Sequence, residues 1–124
     1  VYRQKADGII ISSPTGSTAY SLSGGGPIIH PNLDVLILMP MFPQTLSSSP
    51  LIVSAESSIR IELLDKTNKK HLSFDSHNSI SLTGEAKVLV SKTQSELTLI
   101  HPKDHNFYES CRNKLGWSSS PIKE

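Results

Sequence analysis

The longest apolar run in this chain, Val35 to Phe42, spans eight residues and carries Pro40 inside it. A helix needs roughly 20 apolar residues to cross a bilayer, and an internal proline removes a backbone donor and breaks a helical run. Every other apolar group is shorter still, cut by the chain's 8 prolines, 7 glycines and 21 serines. Such punctuation permits short strands joined by turns and little else. With 36% hydrophobic residues in 124, one modest core can form, so the expectation is a single domain or a piece of a larger protein. Twelve Lys and Arg against eleven Asp and Glu leave a net charge of +1, which excludes a strongly basic nucleic-acid footprint and an acidic solvating tail. One cysteine, Cys111, cannot form an internal disulfide and favours a reducing, cytoplasmic setting. No signal-peptide pattern opens the chain. It begins with Val1 rather than Met, in what reads as a strand through Val1 and Tyr2, so a start partway through a longer protein is expected.

Gly8-Ile9-Ile10-Ile11-Ser12 is a β-branched run that predicts a buried strand, ended by Ser13-Pro14. The hydroxyl-rich Thr15 to Ser23 predicts a tight turn and one to three helical turns, closed by Gly24-Gly25-Gly26-Pro27. Leu36 to Met39 reads as a strand covered on both faces. Ser58 to Leu64 alternates, with Ile59, Ile61 and Leu63 on one face and Arg60 and Glu62 on the other. A polar turn over Asp65 to Lys70, an alternating Leu72-Ser73-Phe74, a turn at Gly84, and strands over Ala86 to Ser91 and Leu97 to Ile100 follow. Five to eight short strands make the expected class mainly β and sandwich-like, with a short helix after the first strand and a second helix at the C-terminus. For that second helix Asp104 is the expected N-cap, with Phe107, Cys111 and Leu115 on one stripe and Gly116 as the stop.

Familiar chemical motifs mostly fail. The glycines lack the Gly-Lys-Ser/Thr of a phosphate loop, and they follow the short helix rather than opening it as a dinucleotide fingerprint requires. No Gly-x-Ser-x-Gly elbow is present. His71 with His77, and His101 with His105, lack acidic or thiol neighbours at a metal-binding spacing. The hydroxyls of Thr15, Ser17, Thr18 and Ser23 can bind a ligand or cap local backbone. Asp7, in Asp7-Gly8, is either a turn former or a carboxylate for a polar ligand group, and Tyr20 is either core or a ring for a base to stack on. Ser12 to Ser23 as a whole reads as a ligand-facing hydroxyl cluster.

Asp7-Gly8-Ile9-Ile10-Ile11-Ser12-Ser13-Pro14-Thr15-Gly16-Ser17-Thr18-Ala19-Tyr20-Ser21-Leu22-Ser23-Gly24-Gly25-Gly26-Pro27 resembles the signature of bacterial NAD kinases, most closely the proteobacterial form. The resemblance continues at Pro40-Met41-Phe42-Pro43-Gln44-Thr45-Leu46-Ser47, at Pro50-Leu51-Ile52-Val53, at Phe74-Asp75-Ser76, at Leu99-Ile100-His101-Pro102-Lys103-Asp104 and at Lys114-Leu115-Gly116-Trp117. It implies a two-domain kinase that moves the γ-phosphoryl of ATP to the 2′-hydroxyl of the adenosine ribose of NAD. The family's Gly-Gly-Asp-Gly loop and Asn-Glu pair are absent here, so the resemblance is to the C-terminal, substrate-binding β domain, with no catalytic residue in this chain.

Carried over residue by residue, the resemblance places Asp7 near the nicotinamide end of NAD with Thr15 close by. Thr18, Ala19, Tyr20 and Ser23 fall on the adenosine side, with Tyr20 against the adenine, and Lys5 falls where a basic residue approaches the phosphates. The region around Asp75 to His77 approaches the ligand in some members, but Asp75-Ser76-His77 departs from the commoner Asp-Gly-Gln or Asp-Ser-Gln, which leaves the role of His77 open. Gln44 stands where His is frequent and Ser49 where Arg is frequent, and nothing is carried over to either. The implied domains are residues 1–100, for dinucleotide binding and oligomerisation, and 101–124, a helical tail returning to an absent α/β domain, which leaves Phe107 and Trp117 exposed. The implied partners are NAD and ATP, with a divalent cation, Mg²⁺, held mostly outside this chain, and a homodimer or homotetramer built through the β domain. Nucleic acid and membrane are not expected partners. A stand-alone dinucleotide-binding regulatory module is the alternative, and a related lipid kinase a third reading.

Overall fold

The computed structural model describes residues 3–45 and 48–117, so the expected strand at Val1 and Tyr2 lies outside the described residues. The chain divides into two compact units, Val1–Thr93 and Gln94–Glu124. The first is built of strands, in chain order β1 (Gly8–Ser12), β2 (Val35–Met41), β3 (Leu51–Ser54), β4 (Ile59–Glu62), β5 (Lys70–Phe74), β6 (Asn78–Leu82) and β7 (Lys87–Val90). Between β1 and β2 stand a 3₁₀ turn, Thr15–Thr18, and a single helical turn, α1 (Tyr20–Ser23). The second unit carries α2 (Phe107–Leu115). The mainly β class with a short helix after the first strand and a terminal helix is what the structure has.

All pairings are antiparallel. β1, β2 and β3 form one sheet with β2 central, β4 pairs with β7, and the β5–β6 hairpin is nested between β4 and β7 in the chain. β2 buries four consecutive residues, Ile37, Leu38, Met39 and Pro40, as a strand covered on both faces must. Pro40 survives in a central strand because the β2–β3 ladder stops at Leu38 opposite Leu51; its missing donor falls past the end of β3. Ile29, Ile37 and Met39 form the core cluster, with Ile10 and Val35 packed against it. In the β4–β7 pair, Ile59 opposes Val90 and Ile61 opposes Val88, while Glu62 opposes Lys87 with an ion pair at 3.7 Å. The predicted alternation of Ile59 and Ile61 against Arg60 and Glu62 holds, and Leu63 lies beyond the strand.

Three expectations need correction. Residues 97–100 form no strand: Leu97 is 87% exposed and Ile100 93%, and among the described residues of their unit no strand offers a ladder to pair with. The N-cap of α2 is Asn106, not Asp104; the backbone first closes a turn from His105 N–H to the Pro102 carbonyl, and only then turns helical. Asn106 Oδ1 accepts from the N–H groups of Tyr108 and Glu109 at 2.9 and 3.2 Å, and Gly116 ends the helix in the left-handed conformation at φ 67°. Phe107, expected to be exposed, is half-buried, and Cys111 is buried as a free thiol. Among the described residues no helix is long and apolar enough to cross a membrane.

Candidate functional site

Successive residues of a strand point to opposite faces, and partners across an antiparallel ladder share a face. Gly8, Ile10, Met39 and Met41 therefore lie on one side of the β1–β2 ladder, where Gly8 opposes Met41 and Ile10 opposes Met39. An open groove with a volume of about 450 Å³ runs along this side. The strands contribute Ile10, Met39, Pro40 and Met41; the turn after β1 contributes Tyr20, Ser23, Gly24 and Gly25; the segment after β2 contributes Phe42, Pro43, Ser48 and Pro50. None of these side chains is charged.

The turn that carries Tyr20 is held from beneath by two serines. Ser17 is fully buried; its hydroxyl donates to the Pro14 carbonyl at 2.6 Å and accepts from the Ile29 N–H at 3.0 Å. Ser21 is 1% exposed and sets its hydroxyl 3.7 Å from the Met39 sulfur, while its carbonyl accepts from the Gly26 N–H at 2.8 Å. A side chain at residue 26 would come within 2.8 Å of that carbonyl and 2.9 Å of the Met39 sulfur, so only glycine fits. The expected ligand-facing hydroxyl cluster is thus corrected. Ser17 and Ser21 face inward, because their hydroxyls bond backbone and sulfur that packing has buried, and Thr15, Thr18 and Ser23 remain on the exposed side.

Of the residues singled out in the sequence, Tyr20 and Ser23 line the groove, and Tyr20 is 60% exposed. Ala19 is the joint between the 3₁₀ turn and α1; its carbonyl accepts from Leu22 and Ser23. Thr18 donates its hydroxyl to the Thr15 carbonyl at 3.3 Å. Lys5 and Asp7 do not line the groove but extend the β1–β2 pairing toward it. The Asp7 N–H donates to the Met41 carbonyl at 2.9 Å and the Lys5 carbonyl accepts from Gln44 N–H at 3.0 Å. Both side chains are exposed. Met39, Met41, Phe42, Pro43 and Pro50 were not among the sequence candidates. For Met39 and Met41 the signal was the period-two phase of β2, which puts them on the face of Ile10; Phe42, Pro43 and Pro50 lie past that strand and carried no such signal.

A divalent cation finds no cage here. Among the described residues no three His, Cys, Asp or Glu side chains gather as ligands, and the groove holds no carboxylate. The residues present do not fit such an ion by themselves.

Residues 1–102 match the family described as ATP-NAD kinase C-terminal domain. The chain is 53% identical over 120 residues to an NAD kinase of Teredinibacter turnerae, covering 96% of this chain and 41% of that protein. It is 54% identical over 121 residues to an NAD kinase of Saccharophagus degradans, with the same coverage. The fold resembles yeast NADH kinase complexed with NADH at a TM-score of 0.83 and 30% identity, over 97% of this chain and 38% of that one. It also resembles an NAD kinase from Archaeoglobus fulgidus in complex with ATP, at a TM-score of 0.66 and 28% identity, over 76% of this chain and 35% of that one. The chain therefore spans about two fifths of the length of the curated relatives it matches.

Proposed function

We infer the function from one premise: the chain belongs to the ATP-NAD kinase C-terminal domain family. It is the dinucleotide-binding part of an enzyme that transfers the γ-phosphoryl of ATP to the 2′-hydroxyl of the adenosine ribose of NAD, giving NADP. The observation that carries this reading is that the long signature segment supplies one side of an open, uncharged groove through Tyr20, Ser23, Gly24 and Gly25. Relatives of this kind include a yeast enzyme complexed with NADH.

In this reading Tyr20 lies against the adenine, with Thr18, Ala19 and Ser23 beside the adenosine. Asp7 and Thr15 serve the nicotinamide end, and Lys5 approaches the phosphates. These groups bind and orient. Holding a hydroxyl in the attack geometry is a large part of phosphoryl-transfer catalysis, since the protein has little covalent chemistry to do. ATP, the general base and Mg²⁺ belong to the remainder of the enzyme. Residues 101–124 return to that remainder, residues 1–100 carry the contacts of a homodimer or homotetramer, and the free thiol of Cys111 fits a cytoplasmic setting.

The test is NADP formation from NAD, ATP and Mg²⁺ by the complete protein, set beside the 124-residue chain alone. Turnover by the complete protein and none by the chain is expected. NAD binding without turnover by the complete protein would leave a regulatory module instead.

A further inference from the structure

We propose that Phe42 is a second aromatic contact for the adenine ring, sharing the groove with Tyr20 and helping to set the preference for a purine dinucleotide. This rests on the reading of the groove as the adenosine site.

Three observations converge on Phe42. It is 77% exposed, so its ring gains little from the core of this chain, yet it lines the same groove as the 60%-exposed ring of Tyr20. Its backbone is left-handed, at φ 45°, a conformation that bulky side chains rarely adopt and that costs about 1–2 kcal/mol for an L-residue. Glycine or asparagine would hold that turn more readily. The bend is imposed on both sides, by the Asp7 N–H bonded to the Met41 carbonyl and the Gln44 N–H bonded to the Lys5 carbonyl. Strain kept at a cavity rim, with an exposed ring as its product, marks a contact made when a ligand arrives.

The lining says which part of the ligand. With no charged side chain, with methionines and prolines, and with Gly24 and Gly25 leaving room for close approach, the groove suits a flat neutral ring rather than a diphosphate. Aromatic stacking on a base is sequence-tolerant and amounts to about 1–3 kcal/mol per base. Two exposed rings beside one uncharged groove suit a purine better than a charged or aliphatic group.

The experiment uses the complete kinase with Phe42→Gly, Phe42→Asn and Phe42→Tyr, reading KM for NAD and for ATP, kcat, and thermal unfolding. Phe42→Gly and Phe42→Asn should raise KM for NAD about fivefold or more through lost stacking, with KM for ATP within about twofold. Their unfolding temperatures should equal or exceed the parent's, because both residues accept the left-handed turn. Phe42→Tyr should restore the parental KM for NAD. A folded Phe42→Gly or Phe42→Asn enzyme with unchanged KM for NAD overturns the proposal, as does an equal rise for both substrates. If the parent enzyme makes no NADP, the reading of the groove fails and this proposal with it; normal turnover by the parent with indifferent variants removes Phe42 alone.

Discussion

A buried hydroxyl is tolerated when both its donor and its acceptor capacity are filled, and Ser17 fills both, toward Pro14 and Ile29. Ser17→Ala would leave a buried N–H and a carbonyl without that partner, and should lower unfolding free energy by about 1–3 kcal/mol in denaturant melts. A second prediction concerns the β5–β6 turn, where Asp75 and Ser76 are both left-handed, at φ 46° and 61°. Two positive-φ residues joining paired strands demand Asn-Gly or Asp-Gly, and serine at the second position is strained. Ser76→Gly should therefore raise the unfolding temperature, by the equivalent of about 1 kcal/mol. Sequence reasoning found Tyr20 and Ser23, whose exposure follows from a turn between strands, but it grouped Ser17 and Ser21 with them. Which hydroxyl of a serine-rich turn points inward depends on the contacts made by Ile29 and Met39, residues distant along the chain.

Elements were legible where their pattern was strictly local. The alternation at Ile59 and Ile61 and the glycine stop at Gly116 became what their spacing implied. The Ile9–Ile11 run became a strand, though half-buried along its whole length rather than buried, because β1 has only β2 as a ladder partner. Residues 97–100 did not, because apolar residues make a strand only beside a partner strand. β3 and β6 lacked individual expectations although Leu51-Ile52-Val53 and the Ile80 and Leu82 alternation carried the signal. The capping error at α2 arose from two acceptable caps two residues apart, and the Pro102 turn decided for Asn106. Asn106→Ala should reduce helix stability by about 1 kcal/mol, read as faster amide exchange at Tyr108 and Glu109. Between β4 and β5, the Thr67 hydroxyl and N–H, then the Asn68 amide and the Lys70 ammonium, hold the Asp65 carboxyl well below the usual carboxylate range. A depressed carboxylate stabilises the fold fully above its unfolded pKa of about 4 and loses that contribution as pH falls through and below it. Parent and Asp65→Asn should then differ in urea midpoint at pH 7 and converge toward pH 2.

For the molecule as a whole, family membership and fold class were readable in one continuous signature, residues 7–27, whose chemistry depends on a strand, a turn and a glycine stop close together in the chain. The groove was not readable, since its other contributors come from β2 and the segment after it and meet the signature only through the ladder register. Asp7→Asn in the complete enzyme should weaken use of NAD more than use of ATP, as a group at the nicotinamide end would. The central claim is that this chain holds the dinucleotide and not the phosphoryl donor. Steady-state kinetics of Tyr20→Ala in the complete enzyme test it most directly. Loss of base stacking should raise KM for NAD about tenfold, equivalent to about 1.4 kcal/mol, while KM for ATP stays within about twofold. Equal rises for the two substrates, or a rise for ATP alone, would contradict the account.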